Sequence, residues 1–155
     1  MEYTKRRNLN RGHMKLEVWQ RGLDLFALAF PLSDCVSDFK LKSQFRDAAQ
    51  SVSANIAEGY GRRSLMEYLQ YRYIAKGSLA ETVTRATGLQ TVNIISEDDF
   101  DRFDQLHYEV ENKLLRLIES LENKRQANDW HDTLPPAHSS SSHPSIQKSI
   151  HPPVR

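Results

Sequence analysis

Leu16, Trp19, Leu23, Phe26 and Phe30 recur at steps of three and four near the start of the chain. That spacing puts them on one face of a helix beginning near Leu16. Pro31 lacks an amide hydrogen and clashes with the preceding turn, so it should end or kink this helix. Residues 33–39 read as a connection. A second helix is expected from about Phe39 to Glu58, on the stripe Leu41, Phe45, Ala48, Val52 and Asn55, widened by Ala49 and Ile56. Gly59 stands where a left-handed helix end is wanted. The tight connection Gly59–Arg63 predicts antiparallel second and third helices.

Ser64, with Glu67 three residues later, forms a capping box that opens the third helix. This helix should reach about Asn93, with Leu65, Leu69, Tyr73, Leu79, Val83 and Ala86 as its apolar contacts. Gly77, Ser78 and Ala80 are small enough to admit another backbone. Gly77 and Gly88 each weaken the helix by roughly 1 kcal/mol relative to alanine, so packing must hold it. Ser96 caps a fourth helix, and Glu97, Asp98 and Asp99 place negative charge on its first turn. Ile95 and Phe100 bracket that cap as a hydrophobic staple. Phe100, Phe103, His107, Val110, Leu114, Leu117 and Leu121 then repeat at three and four, and the helix should end near Arg125. Four amphipathic helices with short connections predict an all-α, antiparallel up-down-up-down four-helix bundle over residues 14–125.

The flanks differ. Residues 1–13 lack apolar periodicity and read as a flexible basic arm. Met14 begins MKLEVWQ as a natural start would, so the arm reads as an upstream extension. Residues 126–155 hold five of the six prolines and a Ser/Pro/His-rich run, and should be disordered. The length of 155 residues fits one domain plus tails. The single Cys35 excludes an internal disulfide framework and a Cys-rich zinc site. No apolar run approaches a membrane span and no leader is visible, so a cytoplasmic protein without a membrane partner is expected.

The formal net charge of +1 hides a pattern. Residues 40–76 carry seven basic against three acidic side chains, and residues 80–123 four against ten. A small total can coexist with a basic face, although the two segments can also neutralise each other as neighbouring helices.

The chemistry-bearing residues are mostly explained by structure. His131, His138, His143 and His151 lie in the tail at no metal-binding spacing, and His107 falls on a core stripe. Gly59 and Gly61 follow a helix rather than a strand, which is the wrong context for a phosphate loop. Asp98 and Asp99 are helix-capping charges. No catalytic residues, metal or cofactor are therefore expected. Asn55, Glu58, Ser78 and Glu81 read as a structural polar network at the turn between the second and third helices, or as a ligand or partner site there. Arg62, Arg63, Arg72 and Lys76, with Tyr60, Tyr68 and Tyr71, make a basic aromatic surface, and Arg46 lies upstream. Such a surface can hold phosphates and stack bases. The alternative is a solvated helix face with an oligomer contact.

Leu16-Glu17-Val18-Trp19-Gln20, Asp38–Gln44, Ser51–Arg62 (SVSANIAEGYGR) and Ile74–Glu81 (IAKGSLAE) resemble, in order, the bacterial four-helix bundle family of proteins encoded in intervening sequences of 23S ribosomal RNA genes, also labelled S23 ribosomal protein. Asp47 stands where that family commonly has a basic residue, and Ser53 where it often has proline. The resemblance implies a ring-like homopentamer without established enzymatic activity. A related branch, the accessory variability determinant of diversity-generating retroelements, implies binding to nucleic acid and to a reverse transcriptase. The leading expectation is a non-enzymatic homo-oligomer that binds RNA or DNA, RNA first, through Arg46, Arg62, Arg63, Arg72 and Lys76. The alternative is a scaffold that docks a partner protein such as a reverse transcriptase.

Overall fold

The computed structural model describes residues 12–62 and 64–130. A short 3-10 turn, Gly12–Lys15, leads into α1 (Glu17–Leu32), and a second, Ser33–Cys35, joins it to α2 (Phe39–Tyr60). Then come α3 (Leu65–Thr91) and α4 (Glu97–Gln126). The described residues contain no strand.

The caps explain the boundaries. Asp38 accepts the Leu41 amide at 2.8 Å, and Ser64 accepts the Glu67 amide at 3.2 Å. Ser96 accepts the Asp99 amide at 3.2 Å and donates to the Asp99 carboxylate at 2.7 Å, which closes the start of α4. Pro31 lies inside the last turn of α1, which runs one residue past it to Leu32. Among the described residues the left-handed ones are Asn93 (φ 58°) and Asn128 (φ 52°), not Gly59. The Ile94 amide returns to the Leu89 carbonyl (2.9 Å) and the Asp129 amide to that of Lys124 (3.0 Å), six-residue closures typical of helix ends. Gly59 stays helical inside α2.

Each helix packs on its chain neighbours, and α4 closes onto α1. The contacts run in opposite order along every neighbouring pair. Glu17 meets Lys113 at 2.7 Å and Arg21 meets Glu109 at 3.0 Å across α1 and α4. Gln44 meets Arg85 (3.0 Å) and Glu58 meets Tyr71 (2.7 Å) across α2 and α3. Leu79 meets His107 (2.9 Å) and Tyr73 meets Glu122 (2.9 Å) across α3 and α4. Arg46 reaches the Phe30 carbonyl at 3.4 Å, while Gly22 lies against Ser53, so α1 and α2 are opposed as well. This is the antiparallel four-helix bundle.

The core corrects the expected stripes in part. On α4 the stripe holds: Phe103, His107, Val110, Leu114 and Leu121 are buried, with Ile118 turned further in than Leu117. On α1 the buried line is Val18, Trp19, Gly22, Leu25, Ala29 and Leu32, while Leu23 and Phe26 are half-buried and Phe30 is exposed. The reason is the close approach of α2. A methyl group on Gly22 would stand 3.4 Å from Ser53 Cβ, so the small residues face α2 and the aromatic stripe is rotated outward. Leu41 and Tyr73, expected inside, are exposed. Gly77 has open space around it and admits no backbone.

The packed fold also extends past the expected 14–125. Gly12 and His13 sit against Tyr60, with the His13 and Tyr60 ring centroids 6.2 Å apart. Trp130 packs on Tyr68 at 6.0 Å. The rest of the expected arm and tail, residues 1–11 and 131–155, lies outside the described residues.

Candidate functional site

Most of the expected basic and polar residues come from the α2–α3 pair, with Arg46 leaning onto the end of α1. The expected polar network is divided into three. Asn55 donates to the Ser51 carbonyl and hydroxyl, both at 2.8 Å, and Ser78 donates to the Ser51 hydroxyl at 3.1 Å. Ser51 thus joins Asn55 to Ser78. It was missed because a serine on a polar helix position carries no signal of its own. Glu81 belongs elsewhere and takes two hydrogen bonds from Arg85, at 2.9 and 2.6 Å.

Glu58 forms the third group. Its Oε1 accepts from Arg62 at 2.6 Å and from the Tyr71 hydroxyl at 2.7 Å, and Arg62 also donates to the Tyr71 oxygen at 2.6 Å. The Arg62 guanidinium lies 4.8 Å from the Tyr71 ring centroid. The Tyr71 hydrogen bond, then the Arg62 one, holds the Glu58 carboxyl below its ordinary pKa. The same bond to Glu58 raises the Tyr71 phenol. A lowered carboxylate pKa means the link persists below the ordinary glutamate range and breaks only as pH falls through the folded value.

The basic residues are dispersed by this geometry. Arg46 is spent on the α1 end: its Nε meets Ser33 at 2.5 Å, its Nη2 meets Asp34 at 2.7 Å, and its guanidinium covers the Phe30 ring at 3.8 Å. Lys42 shares Asp34 at 2.8 Å. Arg62 is paired with Glu58, and Lys76 is exposed on α3. Arg63 lies outside the described residues. Arg72 corrects the expected surface most sharply, because its relative exposure is 0%. It faces inward under Tyr68, with its Cζ 4.3 Å from that ring centroid, and cannot touch a surface phosphate as the chain stands.

A different feature is open. The N-terminal half of α2 and the C-terminal half of α3 enclose a groove of about 660 Å³, floored by Phe45 and Leu89 and walled by Leu41, Ala80, Thr84 and Val92. Val92 is 62% exposed at its rim, and Phe39, at the start of α2, is 82% exposed. Large apolar side chains left in water on one face mark an association surface. A turn-position valine and a helix-start phenylalanine fell outside every apolar period, so pattern reasoning passed over both.

His107 donates from Nε2 to the Leu79 carbonyl at 2.9 Å inside the core and is a structural histidine. Cys35 is exposed and free at the end of its 3-10 turn. Among the described residues no group of three His, Cys, Asp or Glu side chains could hold a metal ion, and no helix is long and apolar enough to cross a membrane.

The model of the family described as 23S rRNA-intervening sequence protein matches residues 14–116. The crystal structure of a protein of unknown function from the S23 ribosomal protein family of Bacteroides thetaiotaomicron superposes with a TM-score of 0.62. The two chains are 19% identical, and the match covers 65% of this chain and 97% of the other, so the likeness is one of fold. No curated protein matches the chain significantly.

Proposed function

The chain belongs to the 23S rRNA-intervening sequence protein family, and on that premise we propose a non-enzymatic, cytoplasmic helical bundle that works as a homo-oligomer. The observation that carries this reading is the apolar groove between α2 and α3, rimmed by exposed Val92. A second copy of the chain is its occupant, because covering such a face removes apolar surface from water at roughly 25 cal/mol per Å². Light scattering of the full chain should return an integer multiple of 17.9 kDa, five-fold for the pentameric ring. Val92→Glu, which puts a charge on the groove rim, should reduce that mass. A monomeric unmodified chain contradicts the proposal. An assembly unmoved by Val92→Glu places the contact on another face. Capture of a single dominant protein, such as a reverse transcriptase, would instead favour the docking scaffold.

Nucleic-acid binding is the second reading, favoured by Lys76 and by Arg62 held at the surface. Assembly would multiply these few charges into one basic zone. Glu58 is the local brake, since its carboxylate already neutralises Arg62. Glu58→Gln should therefore tighten binding to single-stranded RNA. The slope of log K against log salt should steepen by about 0.7, the value for one added phosphate contact. Anisotropy titrations at several salt concentrations measure it, and an unchanged slope removes Arg62 from the contact set.

A further inference from the structure

Arg72 is the least explained residue in the fold. Guanidinium groups carry five N–H donors. Here Nη2 donates to the Ile56 carbonyl at 2.7 Å, while Nε and Nη1 are buried without a partner. No carboxylate pairs with it among the described residues. The Tyr68 ring and hydroxyl offset part of this charge but no carboxylate does, and an apolar side chain of similar length would fill the place without the cost of burying it. Burial draws its pKa below the ordinary arginine value.

The surroundings are specific. The Tyr68 ring lies against the guanidinium, Tyr60 meets Tyr68 edge-on at 6.1 Å, and Trp130 meets Tyr68 at 6.0 Å. The Trp130 Nε1 is also buried without a partner, so orphaned N–H donors flank Tyr68 from two residues. His13 closes on Tyr60 from before α1, and Trp130 comes from beyond the end of α4. Both covers belong to the ends of the fold, outside the four helices.

We propose that Arg72, with Tyr60, Tyr68 and Trp130, is a closed nucleotide site, in which the guanidinium takes the phosphate and the rings take the base. A guanidinium fork matches phosphate oxygens bidentately. Aromatic faces beside it stack bases with little sequence preference. A bare anion would use the arginine and leave the rings idle. The nucleotide comes either free or as one unit of a single strand. The strand source rests on the nucleic-acid reading above, and the free source does not.

The test titrates the full chain with adenosine monophosphate and, separately, with single-stranded oligoadenylate, following tryptophan emission. A saturable change with either probe is expected, and the probe that gives it identifies the source. Arg72→Met should weaken the response at least tenfold, with a melting temperature equal to or above that of the unmodified chain. Arg72→Lys keeps the charge and loses the fork, so it should weaken binding in a folded protein even if Arg72→Met does not fold. The proposal is overturned if the unmodified chain shows no saturable response to either probe at millimolar concentration. It is also overturned if Arg72→Lys binds both probes as the unmodified chain does, since Arg72 is then only a packing residue. Light scattering does not read this site, so self-association and nucleotide binding can fail independently.

Discussion

Replacing Phe103 with alanine is expected to lower the unfolding free energy by about 3–5 kcal/mol. Phe103 is 0% exposed and is among the largest fully buried side chains. Its ring centroid lies 5.8 Å from that of Phe45 on α2 and 6.1 Å from the His107 ring on its own helix. α2 and α4 stand diagonally across the bundle, so this ring pair ties together helices that share no other extensive contact. Truncation therefore removes the transfer free energy of the ring, opens a cavity at the centre and loosens the diagonal tie. Domains of this size are stable by about 5–15 kcal/mol, so the loss is a large fraction of the total. Urea unfolding followed by circular dichroism measures it. Tyr108→Ala is the control on the same helix, at a residue 66% exposed, and should stay within about 0.5 kcal/mol. A Phe103→Ala cost below 1 kcal/mol would contradict the packing described.

Gly59→Ala is expected to cost about 1–3 kcal/mol through overpacking. A methyl group there would stand 2.6 Å from Tyr71 Cβ and 3.2 Å from Arg72 Nη2. Either α2 and α3 must part, or the Tyr71 and Arg72 side chains must shift, and both routes disturb the Glu58–Arg62–Tyr71 cluster. The sign of the effect is the informative part. Gly59 is helical without a positive φ, so intrinsic propensity alone would make alanine better by roughly 1 kcal/mol. Gly77, in the same bundle, has open space around it. Gly77→Ala should therefore stabilise where Gly59→Ala destabilises. Thermal melts of the two variants give the comparison, and equal effects would mean that Gly59 is not a point of close approach.

Several of the expected residues were legible for a physical reason, and others were not. The Ser64 and Ser96 caps act within one turn, so residue type and spacing predict them without the rest of the molecule. The α4 stripe was readable because α4 packs one continuous face against the core. The α1 stripe misled, because Phe26 and Phe30 look more like core than Gly22 and Ala29 do. Which arc of α1 is buried depends on how closely α2 can approach, and that favours small residues. From sequence Arg72 reads as a surface residue, because arginines are rarely buried without a partner. Only the approach of α2 at Gly59 and the cover of Tyr68 place it inside.

The chain by itself determines four helices, their order and the Ser64 and Ser96 caps, because hydrophobic period and capping chemistry are local. It also determines that its small net charge is unevenly spread along the sequence. Tertiary structure decides what the charges can do. Arg46 meets Asp34 only after α1 and α2 pack, and Tyr71 of α3 joins the local Glu58–Arg62 pair only when α3 folds back on α2, because such partners depend on distance in space rather than in sequence. The same packing brings Phe45 and Leu89, far apart along the chain, to the floor of one groove, and turns Arg72 away from water. Periodicity can say that a face is apolar or basic. Which neighbour covers it, and which is left uncovered, is settled by the register of antiparallel helices against one another.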